Sequence, residues 1–190
     1  MKITLQEDQS EITLGQYQDY DALIRSDISD KDKEDRTIEI FTGIAKEDAG
    51  GISKKDREGI LNQVNTAISK EVKFNPRFTL QNIEFGMIPN FSKNEVTGDE
   101  YTDFVKYGGK EWLTMHKLMA ILFRPVTSWD AHGNYKIDPY NNTSKWGETM
   151  KEMPLSIVNS AIGFFLNLRE ELHEDIRESL VKEQQKELQH

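Results

Sequence analysis

The sequence predicts a mainly α-helical α+β fold with two β-hairpins. In most of the chain, apolar side chains recur three or four residues apart, which is the period of an amphipathic helix. In residues 73–91 and 125–140 they recur at about every second position around short polar turns. Alternation of this kind is typical of paired strands.

The densest apolar stretch, Trp112–Pro125, is interpreted as a central helix. Met115, Met119 and Leu122 follow Trp112 at helical spacing, and the residues between them are also largely apolar. We therefore expect this helix to be buried on nearly all sides. Pro125 should end it, because proline has no backbone N–H and its ring clashes with the preceding turn.

The remaining elements follow from the same periodicities. The charge run Asp27–Asp35 is expected to be a solvated loop or the start of a helix. Gln81-Asn82 is the expected turn of the first hairpin, and residues 130–134 form that of the second. Helices are predicted over residues 15–26, 33–44, 53–69 and 94–104. A last helix is predicted to begin at Pro154 and to belong to the core up to about Leu172.

Two parts of the chain resemble each other. Glu11–Tyr20 aligns without a gap on Glu95–Phe104, and residues 64–68 (V-N-T-A-I) match residues 158–162 (V-N-S-A-I) in the same order. Between these matches, residues 38–44 correspond to residues 118–126. We interpret this as an internal duplication of a three-helix unit. The alternative is that short helices with threonine caps look alike.

The duplication defines the predicted domain organisation. Residues 1–72 form a first helical unit and residues 73–94 a hairpin connector. Residues 95–172 form a second helical unit with the inserted hairpin 125–140, and residues 173–190 are an amphipathic C-terminal helix extension.

The duplicated segments also predict two helix caps. Thr13 and Thr97 are expected to be N-caps, and Gln16 and Glu100, three residues further on, would complete capping boxes. In that role these residues are architectural.

Composition restricts the possible functions. The net charge of -9 disfavours binding to nucleic acid, since an acidic surface repels a polyanion. The absence of cysteine excludes disulfides and thiolate chemistry and suits a reducing cytoplasm. The longest strongly apolar run, Leu118–Phe123, is too short to span a membrane, so no membrane association is expected.

Catalytic signals are sparse, and we predict no enzyme activity and no cofactor. The sequence contains no phosphate-binding, nucleophile-elbow or zinc-protease motif. His116 lies in the apolar central helix and is interpreted as a hydrogen-bonded core histidine. His132 lies beside Asp130 in a turn, where weak ligand spacing leaves metal binding as a minor alternative. An acidic enzyme or regulator would need that metal or a cleft of clustered carboxylates.

Two groups of apolar residues are candidates for partner binding. The first is aromatic and lies in the second hairpin and the loop after it: Trp129, Tyr135, Tyr140 and Trp146. These side chains either cover the core or contact another subunit. The second group is a thin stripe in the C-terminal extension: Leu172, Ile176 and Leu180. Such a helix either packs on a partner or remains a solvated end.

Seven segments together carry a family resemblance. They are E-I-T-L-G-Q-Y-Q-D-Y (11–20), I-E-I-F-T-G-I (38–44), I-E-F-G-M-I-P-N-F (83–91), E-V-T-G-D-E-Y-T-D (95–103), H-K-L-M-A-I-L-F-R-P-V (116–126), Y-K-I-D-P-Y-N (135–141) and M-K-E-M-P-L-S-I-V-N-S-A-I-G-F-F (150–165). The set resembles a family of small proteins encoded in structural gene clusters of tailed bacteriophages, including crAss-like phages.

The resemblance implies a role in a virion or in tail assembly and no catalytic residues. The expected function is that of a structural protein in the connector or tail region of the particle. Such a protein would be made in the host cytoplasm and bind other phage structural proteins, and we expect it to form a homo-oligomer. The alternative is a tail-assembly chaperone that is absent from the mature particle.

Overall fold

A computed structural model describes residues 5–89, 96–108, 111–143 and 145–165. Within these ranges the fold is mixed α+β, as the sequence predicts. The helices, in chain order, are α1 (Leu14–Arg25), α2 (Asp30–Thr42), α3 (Lys46–Ala49), α4 (Lys54–Ser69), α5 (Gly98–Tyr107), α6 (Met115–Leu122) and α7 (residues 155–165). The strands are β1 (Arg77–Leu80), β2 (Ile83–Met87), β3 (Phe123–Trp129) and β4 (Tyr135–Ile137). Short 3-10 turns cover Trp112–Thr114 and Thr149–Glu152.

Side-chain caps set the starts of four helices. Ser29 and Ser53 each accept a hydrogen bond from the backbone N–H three residues further on, at the starts of α2 and α4. Thr13 and Thr97 do the same for α1 and α5. There the side chains of Gln16 and Glu100 also accept the N–H of the capping threonine, so both are capping boxes.

The charge run contains the start of a helix, which is one of its two expected structures, but it is not solvated throughout. Helix α2 begins inside it at Asp30, and Asp35 is buried. Arg57 of α4 compensates this carboxylate, with its Nη1 atom 2.6 Å from Asp35 Oδ1. The prediction of a solvated face is therefore wrong at Asp35, because a partner far away in sequence neutralises the charge.

The strands form one antiparallel sheet in the order β1-β2-β3-β4. Gln81 and Asn82, between β1 and β2, both have positive φ angles, of 49° and 62°. A two-residue turn of this handedness matches the right-handed twist of the strands it joins. The sheet presents Phe85 and Phe123 to the core, where both are fully buried.

The central helix is shorter than predicted. After a 3-10 turn, α6 ends at Leu122, and Phe123 and Arg124 already belong to β3, opposite Met87 and Gly86 of β2. Pro125 disfavours helical backbone at the residue before it, Arg124. The extended backbone of this segment instead pairs with β2. The prediction of one helix over residues 112–125 is thus wrong at its end.

One continuous apolar core joins the helices to the sheet. Ile38 and Phe41 of α2, Met119 of α6, and Val158 and Ala161 of α7 all contribute buried side chains to it. The segment before α1 is tied to the segment before α7 by two backbone hydrogen bonds of 2.8 Å, from Leu14 N–H to the Met153 carbonyl and from Leu155 N–H to the Ile12 carbonyl.

We predict that Gly86→Ala destabilises the fold. A Cβ atom at Gly86 would lie 2.5 Å from the Tyr135 ring, which covers this glycine. Overpacking of this kind typically costs about 1–3 kcal/mol. The measurement is the midpoint of urea denaturation. Gly163→Ala is the matched control, because a Cβ there meets no heavy atom of the described residues within 4 Å and should leave stability equal or higher. Wild-type stability of Gly86→Ala would contradict this packing.

Candidate interaction surfaces

The four aromatic residues singled out by the sequence differ in exposure. Trp129 is 45% exposed at the end of β3, whereas the other three are half-buried. Tyr135 donates its hydroxyl hydrogen to the Met87 carbonyl (2.8 Å), and the Trp146 ring packs edge-on against Phe85, with centroids 5.3 Å apart. Tyr135 and Trp146 therefore stabilise the sheet, and Trp129 has the most surface left for a partner.

Trp129 is held in place although it is exposed. Its ring lies edge-on to Tyr135 with centroids 5.5 Å apart, and the Arg77 guanidinium stacks over it at 4.8 Å. A cation over an indole face fixes the ring without covering its other face. A rigid aromatic loses little conformational entropy on binding, which is typical of contact residues.

The C-terminal stripe of Leu172, Ile176 and Leu180 lies outside the described residues. The described part of α7 ends at residue 165 and carries an aromatic cluster at that point. Phe164 stacks on Phe74 with centroids 4.6 Å apart, and Phe165 contacts both Phe164 and Phe104. We call Phe74, Phe104, Phe164 and Phe165 the phenylalanine surface.

The phenylalanine surface is partly exposed. Phe74 is 44% exposed and Phe164 is 36% exposed. The sequence analysis places α7 in the core up to about Leu172, and the structure shows that the outward side of this helix is exposed at Phe164. Phe164 and Phe165 are adjacent, so their side chains leave α7 about 100° apart, and Phe165 is the more buried of the two.

Other apolar side chains are exposed near the helices. Tyr101 and Val105, four residues apart, lie on one side of α5, and Leu113 lies in the 3-10 turn before α6. Single exposed apolar residues are common on protein surfaces. Tyr101 and Val105 form a pair at helical spacing on α5, the helix that also carries Phe104.

A buried ion pair lies between α5 and the start of β3. Glu100 and Arg124 are both nearly fully buried, and Glu100 Oε1 lies 2.9 Å from Arg124 Nη2. The other Glu100 oxygen accepts the Thr97 N–H, so one carboxylate both caps α5 and neutralises the arginine. Burial lowers the pKa of Arg124, and the Glu100 carboxylate opposes this shift.

Tyr140 extends this polar cluster towards the surface. Its hydroxyl donates to Asp103 Oδ2 (2.5 Å), and the Arg124 guanidinium lies 5.9 Å from the centre of its ring. Burial, followed by the hydrogen bond to the Asp103 carboxylate, raises the pKa of Tyr140 well above its ordinary value. Tyr140 therefore stays protonated and links the loop after β4 to α5, as a structural contact.

A further buried polar group is the imidazole of His116. His116 is buried in α6, and its Nδ1 atom lies 3.0 Å from the Gln18 amide of α1, which also donates to the Trp112 carbonyl. Burial, reinforced by the positive charge of Lys151, lowers the pKa of His116. A neutral, hydrogen-bonded histidine is what the sequence analysis expects at this position.

The turn around His132 is held by Asp130. The Asp130 carboxylate accepts hydrogen bonds from the backbone N–H groups of His132 and Asn134 and from the Asn134 side chain. These hydrogen bonds, the largest effect being that of the Asn134 side chain, lower the pKa of Asp130.

Within the described ranges no three His, Asp or Glu side chains come together as a metal-binding group. The same ranges contain no helix that is long and apolar enough to cross a bilayer.

A comparison with known proteins identifies no relative of this chain. No protein-family model, curated protein or solved structure matches this chain.

We predict strong energetic coupling between Glu100 and Arg124. Arg124→Met leaves a buried carboxylate unpaired, and breaking such a pair typically costs about 3–5 kcal/mol. Glu100→Gln keeps the cap acceptor but leaves the arginine unpaired. The double variant should lose much less stability than the sum of the losses of the two single variants, because neither charge then remains buried.

The measurement is a double-mutant cycle from urea denaturation curves. The matched control is the exposed pair Arg77–Glu84, whose Nη1 and Oε1 atoms lie 3.1 Å apart. Solvent screens that pair, so its coupling should be about 0.2–1 kcal/mol. Additive effects of the Glu100 and Arg124 substitutions would show that the buried pair does not act as a unit.

Proposed function

We propose that this chain is a structural protein of a tailed-phage particle, in the connector or tail region, and that it acts through protein–protein contacts. The resemblance of its sequence segments to proteins of phage structural gene clusters motivates the proposal. The observation that carries it is the set of exposed aromatic side chains, which are Trp129 at the sheet and the stacked pair of Phe74 and Phe164 at the end of α7. Exposed apolar patches of this kind mark interaction surfaces.

In this proposal the partners are further copies of the same chain and other structural proteins of the particle. Ring-forming components usually bind their copies head to tail, so that two different surfaces of one subunit meet. The phenylalanine surface and the exposed side chain of Trp129 share no ring contact among the described residues and would suit such an arrangement. The C-terminal stripe of Leu172, Ile176 and Leu180, which lies outside the described residues, is a further candidate for partner binding.

We further propose that the two helical units arose by duplication. In both units the residue that completes the capping box also contacts a later segment, α2 in the first unit and the start of β3 in the second. Gln16 donates to the Ile40 carbonyl, and Glu100 pairs with Arg124. Ile40 and Arg124 both lie in the segments that correspond in the sequence alignment. The matched pentapeptides of α4 and α7 share a burial pattern as well, with valine and alanine buried in each.

Mass spectrometry of purified particles tests the structural role. The account predicts peptides of this chain in stoichiometric amounts relative to other tail or connector proteins. A variant carrying Trp129→Ser should fold but enter particles less, because the exposed indole is lost. His132→Ser, in the same hairpin, is the matched control and should be incorporated normally. Absence of the wild-type chain from intact particles would contradict the proposal and support the alternative, a tail-assembly chaperone.

A further inference from the structure

The buried ring of His116 lies where α1, α6 and the 3-10 turn before α6 meet. Gln18 of α1 is also buried, and its side-chain amide nitrogen lies 2.5 Å from the Trp112 carbonyl oxygen and 3.0 Å from His116 Nδ1. One residue earlier in α1, the Tyr17 ring packs edge-on against the Trp112 ring, with centroids 4.4 Å apart. Gln18 and Tyr17 thus attach α1 to the start of α6.

These contacts determine which ring nitrogen of His116 carries the proton. A carbonyl oxygen can only accept hydrogen bonds, so the NH2 group of Gln18, and not its oxygen, faces the Trp112 carbonyl. The same NH2 group also faces Nδ1 of the ring. Nδ1 must therefore accept, and the proton of the neutral ring lies on Nε2. Only this tautomer satisfies both contacts of Gln18.

A second proton on the ring would break this arrangement. The new N–H at Nδ1 would point at the NH2 group of Gln18, and two donors would then face each other at 3.0 Å. If the Gln18 amide rotated to offer its oxygen to the ring, that oxygen would face the Trp112 carbonyl oxygen across 2.5 Å. Either way Gln18 loses one of its two hydrogen bonds, and a buried polar group without a partner is costly.

The charged groups around the ring do not compensate a positive imidazolium. Glu148 Oε1 lies 3.8 Å from the ring Nε2, but the other Glu148 oxygen pairs with Lys151 Nζ at 2.7 Å. Lys117 of α6 adds a second positive charge, and α1 faces the ring with a neutral amide. Burial, and then the charge of Lys151, lower the pKa of His116. Glu148 and the Leu113 carbonyl oppose this shift only in part.

We propose that His116 is an acid-sensitive contact between α1 and α6. When Nδ1 takes up a proton from solvent, the contact with Gln18 is lost and α1 separates from the start of α6. The Tyr17 and Trp112 rings then become more accessible to water, because they pack at the same contact. This inference does not depend on the proposed phage function.

Nitrogen NMR of the full wild-type chain tests the contact without any substitution. In neutral solution the His116 ring should carry its proton on Nε2 and none on Nδ1. As the pH falls, the side-chain amide resonance of Gln18 should shift with the same midpoint as the ring of His116. A proton on Nδ1 in the neutral ring, or a Gln18 amide that does not follow the ring, would overturn the proposal.

Amide hydrogen exchange tests the separation of α1. The released state has a histidine of ordinary pKa, about 6.5, and the docked state has a lowered one, so acid favours release below that pH. Exchange in α1 relative to α4, corrected for its intrinsic pH dependence, should rise by up to about tenfold per pH unit below about pH 6.5. Exchange that stays independent of pH in the wild type would contradict the proposal.

Two variants separate the effect of His116 from that of other acid-sensitive groups. His116→Asn keeps an acceptor close to the position of Nδ1 but takes up no proton, so the rise of exchange in α1 should be absent. The matched control is His132→Asn, which replaces an exposed histidine in the second hairpin and should behave like the wild type. A rise that persists in His116→Asn would overturn the proposal. If His116→Asn does not fold, the NMR measurement on the wild type decides.

Discussion

The segment from Met115 to Arg124 is almost wholly buried and belongs to a helix and a strand in turn. No other part of the described chain touches so many different elements: α1 and α5 pack on its helical half, and β2 pairs with its extended half. Burying every face of a segment demands that each of its polar groups finds a partner, because an unpaired polar group in a core costs about 1–3 kcal/mol.

Three polar side chains in this segment contact different neighbours, although among the described residues the buried Nε atom of Arg124 has no hydrogen-bond partner. His116 contacts Gln18 of α1, Lys117 lies 5.4 Å from the centre of the Tyr107 ring, and Arg124 pairs with Glu100. Each contact is specific for one neighbouring helix and fixes how that helix is placed on the segment. Buried polar pairs of this kind add little net stability and can instead favour one arrangement of the helices over others.

Local sequence signals predict the local structure well. The mixed α+β class and the capped starts of α1 and α5 follow from periodicity and from the spacing of Thr13 with Gln16 and Thr97 with Glu100. The errors arise where a distant segment decides the outcome. Phe123 is extended because β2 pairs with it, and Asp35 is buried because Arg57 reaches it from α4.

The candidate contact surfaces show the same division between local and distant causes. Sequence alone finds the aromatic residues of the second hairpin, but it cannot separate Trp129 from Tyr135. Their different exposures depend on Gly86, which leaves space for the Tyr135 ring across the sheet. The exposure of Phe74 and Phe164 is likewise set by two segments that lie far apart in the chain and meet only in the folded protein.

The central functional claim is that exposed aromatic side chains join copies of this chain. The most direct measurement is the native mass of the full chain at micromolar concentration, by light scattering after size exclusion, beside that of Phe164→Asp. The account predicts a discrete species of several subunits for the wild type. It predicts a smaller mass for the variant, with unchanged far-UV circular dichroism. A monomeric wild type, or an oligomer that Phe164→Asp leaves intact, would contradict the assignment of the phenylalanine surface as the contact between copies.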